Sequence, residues 1–377
     1  MSELTVDEKI GILALIHTPG IGAVTVRQLI SYCGSAINVF NSDFRKLMKV
    51  PGVGEKMART ILLKSGLAFG QQEYEACLRS NTHLYFYTDN DYPSRLKALY
   101  DAPIVLYSRG FFNFNLGLVI GIVGTRQVSE YGKMVTESMI RDLSPYGPLV
   151  VSGLAYGVDI TAHRACVKHQ LPTIGILASG LNVIYPEAHI RTTKDMMENG
   201  GIVTENALST RPDFSRFPAR NRIIAGLSDV TIVIESAKKG GSLITVEFAL
   251  NYHREVYAVP GNLGQVFSEG CNALIRDNKA AIFTSVNDMA EALGWNQQPE
   301  PTLFGDSATL GPKYGIFEGY TQDEGQLLAL LHQKGVLHLD EIAWQSGMHL
   351  NKLANLLLSL EFQGVVKSFP GKKYGLI

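Results

Sequence analysis

Over the first seventy positions apolar residues recur at the three- and four-residue spacing of amphipathic helices, in paired stretches. Ile10, Leu13, Ala14 and Ile16 precede the turn Thr18-Pro19-Gly20-Ile21-Gly22, and Val24, Val26, Leu29 and Ile30 follow it. Phe44, Leu47 and Met48 precede a second turn, Val50-Pro51-Gly52-Val53-Gly54, which Met57, Ala58, Ile61 and Leu62 follow. The repetition predicts a duplicated helix-hairpin-helix unit. Glycine supplies the φ > 0 position of such a turn and leaves backbone N–H groups at the start of the next helix, where a phosphate can sit. The following helices carry only Arg27, Lys56, Arg59 and Lys64 as basic residues, so backbone binding and simple helix packing are both open uses of the unit.

Residues 84–110 hold the turns Asp91-Tyr92-Pro93 and Asp101-Ala102-Pro103 and predict a strand over 104–107. From residue 116 the pattern becomes apolar strands (116–123, 149–152, 173–177, 201–204, 230–234, 255–259) alternating with helices (131–143, 160–169, 189–198, 218–227, 243–250). Strands that are apolar throughout and alternate with helices predict a parallel, Rossmann-like sheet covered on both faces, with ligands at the carboxyl ends of its strands. Beyond residue 287 the period is lost, and Pro299, Pro301 and Pro312 mark 297–313 as a linker. The tail predicts helices over 323–333, 338–346 and 349–363, then strands 365–369 and 373–376 around Pro370-Gly371-Lys372, a winged-helix pattern. The helix in the recognition position has one basic residue, Lys352, and the wing adds Lys367, Lys372 and Lys373. The expected fold is thus α/β: a small N-terminal helical (helix-hairpin-helix, SAM-like) domain over 1–80, a central Rossmann-like domain with its N-terminal extension over 81–290, a linker over 291–315 and a winged helix over 316–377.

Composition narrows the function classes. A chain of 377 residues with 46% hydrophobic and 18% charged residues is globular and long enough for two or three domains. Its apolar runs are too short to span a bilayer, and the start (Met1, Glu3, Asp7, Glu8) lacks the order of a signal peptide, so a cytoplasmic protein with no membrane partner is expected. Cys33, Cys77, Cys166 and Cys271 form no Cys-x-x-Cys pair and read as buried thiols. With a formal net charge of -1, any nucleic-acid site must be a local concentration of cations.

Such concentrations follow the strands. The first ends in Gly121-Ile122-Val123-Gly124-Thr125-Arg126, where free amides and a planar guanidinium suit a phosphate, the lesser alternative being that Arg126 caps a surface turn. An arginine here departs from the Gly-x-Gly-x-x-Gly fingerprint and argues against NAD. The second ends in Ser152-Gly153-Leu154-Ala155-Tyr156-Gly157-Val158-Asp159, with Asp159 placed to cap the next helix and His163 reading as a packed residue. The segment 211–222 sets four arginines (Arg211, Arg216, Arg220, Arg222) against Asp213 and interleaves Phe214 and Phe217. Guanidinium groups can hold a backbone while an aromatic face stacks a base, though one phenylalanine is expected to pack inward. Lys238-Lys239-Gly240-Gly241-Ser242-Leu243-Ile244-Thr245 and Pro260-Gly261-Asn262 follow two further strands. Four turns at one sheet edge would make a groove suited to a polymer of phosphates. The candidate DNA-binding residues are Gly124, Thr125, Arg126, Ser152, Gly153, Arg216, Phe217, Arg220, Asn221, Arg222, Lys239, Gly241, Ser242, Leu243 and Asn262. No catalytic residue, metal or cofactor is expected: Walker, nucleophile-elbow and His-Glu-x-x-His motifs are missing, and Glu205, Asp229, Glu235 and Glu247 are as readily capping or ion-pair residues as metal ligands or bases.

These residues together resemble the DNA-processing protein A (DprA, or Smf) family. The resemblance rests on Tyr92-Pro93, Ala102-Pro103, Gly121 through Arg126, Ser152-Gly153-Leu154-Ala155 with Asp159 and His163, and Tyr185-Pro186. It continues through Phe217-Pro218-Ala219-Arg220-Asn221-Arg222, Gly241-Ser242-Leu243-Ile244-Thr245, Pro260-Gly261 and Asn272-Ala273-Leu274-Ile275, in order. It implies a cytoplasmic protein that binds and protects incoming single-stranded DNA and loads the RecA recombinase in natural transformation. It also implies a homodimer through the Rossmann-like domain, with Arg126, Phe217, Arg220 and Arg222 as DNA contacts. Where the family usually has Ser-Gly-Ser this chain has Gly240-Gly241-Ser242, which keeps the amides, loses a hydroxyl and shifts weight onto Lys239. The alternative is a nucleotide-monophosphate phosphoribohydrolase-like enzyme, whose Pro-Gly-Gly-x-Gly-Thr motif and glutamate find only Gly240 through Thr245 with Glu247 here. Reversing Arg126 or Arg220 to glutamate is expected to abolish DNA binding and leave folding intact.

Overall fold

In the computed structural model the described residues are 4–115, 117–295, 320–346, 348, 350–369 and 373–376. The expected linker from 296 onward and the wing turn Pro370-Gly371-Lys372 lie outside them. The chain divides into two units, Met1–Gln297 and Gln298–Ile377.

The first unit opens with six helices: α1 (Val6–Ile16), α2 (Ala23–Cys33), α3 (Ala36–Asn41), α4 (Phe44–Leu47), α5 (Glu55–Leu62) and α6 (Ser65–Arg79). The two hairpin turns carry glycines in the left-handed region, Gly20 at φ 84° and Gly52 at φ 78°, and the chain then enters α2 and α5 through extended Gly22 and Gly54. Helix α6 has no counterpart in the sequence reading, because Gly66 and Gly70 resemble breakers; burial of Gly70, Glu73 and Cys77 holds it helical.

A nine-stranded sheet follows, alternating with helices: β1 (His83–Phe86), α7 (Ser94–Lys97), β2 (Val105–Phe111), β3 (Val119–Val123), α8 (Glu130–Leu143), β4 (Leu149–Ser152), α9 (Val158–Lys168), β5 (Thr173–Ile176) and α10 (Ile190–Met196). It continues with β6 (Gly200–Thr204), α11 (Arg216–Leu227), β7 (Val230–Val233), α12 (Ser242–Asn251), β8 (Glu255–Ala258), α13 (Glu269–Arg276), β9 (Ala281–Ile282) and α14 (Val286–Ala292). The strand order is β1-β2-β6-β5-β4-β3-β7-β8-β9. Strands β3 to β9 are parallel; β1 and β2 add an antiparallel edge. Alternation along β3 sends Val119 and Val123 to one apolar layer and Ile120 and Ile122 to the other, which is why these strands read as apolar throughout. From β3 the chain winds outward to β6, then returns to place β7 on the opposite side of β3. The crevice between the ends of β3 and β7 is therefore the switch point at which this architecture binds ligands.

The six helices do not stand apart from the sheet. Leu13, Leu29 and Phe40 share one core with Tyr107, Leu181 and Leu208, and the amide of Leu208 donates to Glu73 on α6 at 2.7 Å. Burial pushes the Glu73 carboxyl above its ordinary range, and that hydrogen bond opposes the rise.

The second unit comprises α15 (Gln322–Lys334), β10 (Leu337–His338), α16 (Leu339–Ser346), α17 (Leu350–Phe362), β11 (Val366–Phe369) and β12 (Lys373–Leu376), with strand order β10-β12-β11. Thr321 and Glu324 form a capping box that starts α15, and Leu327, Leu331, Ile342, Leu353, Leu357 and Leu360 fill the core. The lysine of α17, Lys352, pairs with Asp323 at 2.5 Å, while Lys367 and Lys373 on the wing strands are exposed.

Candidate nucleic-acid interface

Three loops and one helix converge at the β3–β7 switch point. After β3 the backbone of Thr125 is held on both sides: its N–H donates to the Glu235 carbonyl at 2.8 Å and its carbonyl accepts from Val158 at 3.1 Å. The loop after β4 approaches it through Gly157, at φ 79°, where a Cβ would collide with the Thr125 carbonyl and the Arg126 backbone. The two loops are thus locked together and project Arg126 into solvent. Its guanidinium lies 5.2 Å from the centroid of the Phe217 ring, a cation–π contact, and finds no hydrogen-bond partner among the described residues.

The pocket so formed has a volume of about 270 Å³. Gly124, Thr125 and Arg126 line one side, Phe217, Arg220 and Asn221 of α11 another, and Gly240, Gly241 and Ser242, where α12 begins, a third. A helix N-terminus beside a guanidinium with no hydrogen-bond partner among the described residues makes an anion site. Lys238 and Lys239 are exposed on the turn leading to α12. The Ser242 hydroxyl is engaged by Ser236 at 2.9 Å, so the turn offers backbone rather than hydroxyl.

Arg220 differs from Arg126. It is only 6% exposed and donates to the Ile176 carbonyl. A Cβ at Gly153 would strike both the Arg220 guanidinium and the Asp159 carboxylate, so the three are packed together. Burial pushes the Asp159 carboxyl up and the Arg220 guanidinium down, and each charge opposes the other's shift. Asp159 also accepts from Ala155 at 3.2 Å, bracing the β4 loop instead of capping α9 as expected, since the N-cap of that helix is Gly157 with no side-chain hydrogen bond. Arg220 is therefore the pocket floor. The expectation that reversing it leaves folding intact does not hold, since a glutamate there would lie buried beside Asp159. His163 is packed as expected: fully buried, its ring nitrogens are 2.7 Å from Thr173 Oγ1 and 2.6 Å from the Gly153 carbonyl, and burial lowers its pKa to about 4.

The remaining candidates lie elsewhere. Ser152 is buried beneath the pocket and donates to the Ile122 carbonyl at 2.6 Å. Leu243 is half-buried and packs on the apolar layer under the sheet face. Arg216 donates to Asn206 at 3.0 Å, and Arg222 pairs with Glu205 and the Asp101 carbonyl, both on the side facing the N-terminal helices. The convergence of four turns is three: Asn262 lines a separate recess with Ser129, Tyr131 and Glu235. The loop after β8 starts two strands from β3, roughly 10 Å away, and is folded back by the bonds Ser236 to Phe267 (2.7 Å) and Gly270 to Ser236 (2.8 Å). Neither phenylalanine of the arginine-rich segment is fully packed: Phe214 is 90% exposed, and Phe217 is half-buried against Arg126 and Tyr185. Ser236, Ala237, Ile244 and Thr245 also line the pocket and, like Ala155, Asp159 and Pro218, were not among the candidates.

The four acidic residues weighed as metal ligands or bases all have structural partners. Glu205 pairs with Arg222, Asp229 with Arg95 at 2.7 Å, and Glu247 with Lys279 at 2.8 Å, while Glu235 accepts from the Ser129 amide at 2.8 Å at the start of α8. Among the described residues no group of His, Cys, Asp or Glu is arranged to hold a metal, and no helix is long and apolar enough to cross a membrane. All four cysteines are free and buried.

Residues 83–294 match the family described as DNA recombination-mediator protein A, residues 316–372 the DprA winged helix domain, and residues 12–65 the SAM-like helix-hairpin-helix tandem. The chain is similar to DNA processing protein DprA of Bacillus subtilis, with 40% identity over 207 residues covering 55% of this chain and 69% of that one. Among solved structures, DNA processing protein A of Streptococcus pneumoniae superposes with a TM-score of 0.66 at 28% identity, covering 77% of this chain and 98% of the other. That of Helicobacter pylori, which gives insight into a unique single-stranded DNA binding mode, superposes with a TM-score of 0.53 at 28% identity, covering 58% and 97%.

Proposed function

Because this chain belongs to the DNA recombination-mediator protein A (DprA, or Smf) family, we propose that it binds single-stranded DNA at the β3–β7 crevice without reading its sequence. In the same proposal it acts in transformation and recombination by passing the strand to a RecA-type recombinase, as a homodimer formed through the α/β domain and without catalysing a reaction on the DNA. The observation that carries this reading is the exposed, unengaged Arg126 poised over Phe217 at the mouth of a pocket floored by Arg220 and edged by the start of α12. Cation, amides and aromatic face are the parts a sequence-tolerant strand site needs, because phosphate and ring contacts carry no base information. The binding mode of the Helicobacter pylori relative supports a single strand as the ligand. The glutamate that a phosphoribohydrolase would need, Glu247, is on the exposed side of α12 in a pair with Lys279, which favours binding over hydrolysis.

A salt titration of binding to labelled single-stranded and duplex oligonucleotides of equal length tests the site. Tighter binding to the single strand, weakening steeply with salt through counterion release, is the expected result. Equal or no binding to both would overturn the reading. Recombinase transfer is tested separately, by whether the protein speeds filament assembly on DNA coated with single-strand-binding protein.

A further inference from the structure

We propose that Tyr156 and Tyr185 form, beside Phe217, a nucleobase platform adjoining the phosphate pocket, and that this platform gives the site its preference for single strands; the proposal rests on the single-stranded DNA reading above. Both tyrosines lie in loops that directly follow parallel strands, Tyr156 after β4 and Tyr185 after β5, and each leaves about half its surface in water, 52% and 50%. With Phe217 and Arg126 they line a narrow recess that shares Arg126, Ala155, Phe217 and Arg220 with the phosphate pocket. The Tyr185 and Phe217 rings are 6.2 Å apart and tilted, and Tyr156 is braced edge-on against His189 at 4.8 Å. His189 is itself buried, with Nδ1 2.9 Å from the Leu154 carbonyl, so Tyr156 is seated on a fixed support.

Rings held this way lose little freedom when a flat partner arrives. Apart from the two arginines and the three aromatic residues themselves, the wall of the recess is Leu154, Ala155, Ile176, Leu177, Ala178 and Pro186, which offer surface but no side-chain hydrogen bond to a base edge. The site can therefore take any base by its face. The phosphate pocket over β3 and β7 and the platform over β4 and β5 lie side by side, so a strand with its phosphate at Arg126 can turn the attached base onto the tyrosines. In a duplex the base faces are already stacked on their neighbours. A duplex then offers this site its phosphates alone, and the platform, which needs an unstacked base, separates the two.

The test uses the full chain and three fluorescent probes of equal length: oligo-dT, the same backbone with abasic sites, and a duplex. Tyr156→Ala and Tyr185→Ala should each lower oligo-dT affinity roughly 5- to 150-fold, the range seen when a stacking ring is removed, while leaving abasic and duplex binding unchanged. Tyr185→Phe should bind as wild type does, and Tyr185→Trp should show quenched emission with oligo-dT but not with the abasic strand. Unchanged oligo-dT affinity in both alanine variants, or an equal loss on all three probes, overturns the platform while the wild type's own single-strand binding still stands. If the wild type binds neither single-stranded probe, the single-stranded DNA reading falls and the platform with it.

Discussion

Arg126 and Arg220 look alike in the sequence and do different work in the fold. Arg126 is exposed with its guanidinium unengaged, so Arg126→Glu should abolish single-strand binding while the urea unfolding midpoint stays at the wild-type value. Arg220 is buried near Asp159 and donates to the Ile176 carbonyl, and Arg220→Ala should cost about 1–3 kcal/mol in the same unfolding experiment by leaving that carbonyl unpaired and that carboxylate without a neighbouring cation. A wild-type unfolding curve for Arg220→Ala would refute the structural role of the buried guanidinium. His163 predicts a pH effect of definite sign. Its folded pKa is about 4 against 6.5 for the free side chain, so between those values the unfolded chain takes up a proton that the folded chain refuses. Stability should fall as pH drops from 6.5 towards 4, by about 1.4 kcal/mol per unit for this group, and His163→Gln should flatten the slope. His17, also held near 4 by burial, adds to the wild-type trend in the same direction and remains in the variant. The arginine cluster was legible as chemistry but not as direction. Even so, helix geometry sets Arg220 and Arg222 about 200° apart on α11, so both cannot face one pocket. Of the two platform tyrosines, Tyr156 was visible only as a loop residue after an apolar strand and Tyr185 only as part of the Tyr185-Pro186 motif, neither of which points to a base-stacking surface.

Among the elements, the alternating strands and helices were read nearly to their ends, because burial on both faces leaves little ambiguity in an apolar run. Helices α6, α7, α13 and α14 and strands β1 and β9 were not, α7 and the two strands being too short to show a period. The loops, which carry the site, are shaped by contacts that no periodicity encodes. Gly20→Ala should cost about 1–2 kcal/mol through the left-handed backbone alone, since the space around it is empty, and should leave DNA affinity untouched. Gly157→Ala adds to the same strain a collision with the Thr125 carbonyl and the Arg126 backbone. It should therefore destabilise more than Gly20→Ala does and weaken single-strand binding in protein that is still folded. Denaturation and anisotropy measured side by side on the two variants check this; equal effects on both readouts would mean the β3 and β4 loops are not interlocked.

At the level of the whole molecule, a net charge of -1 means that the overall field gives a polyanion no general attraction. Affinity must come from a few placed cations, and the salt dependence should count them. Each phosphate neutralised contributes a slope of about -0.7 in log K against log salt for a single strand, so Arg126→Ala should flatten the plot by about that amount. An unchanged slope would put the phosphate elsewhere. The parallel sheet and the winged helix were legible as architecture, but the antiparallel edge and its union with the N-terminal helices were not, because Leu181 and Leu208 belong to that union from within loops. The shared core also has a practical side. A fragment trimmed to begin at the sheet would bare Tyr107, Leu181 and Leu208, each at most 2% exposed in the intact chain, and would strand the Leu208 amide that Glu73 now receives. Such a fragment should be sticky and poorly soluble, and its failure in a binding assay would report the wound rather than the missing helices' role in holding DNA.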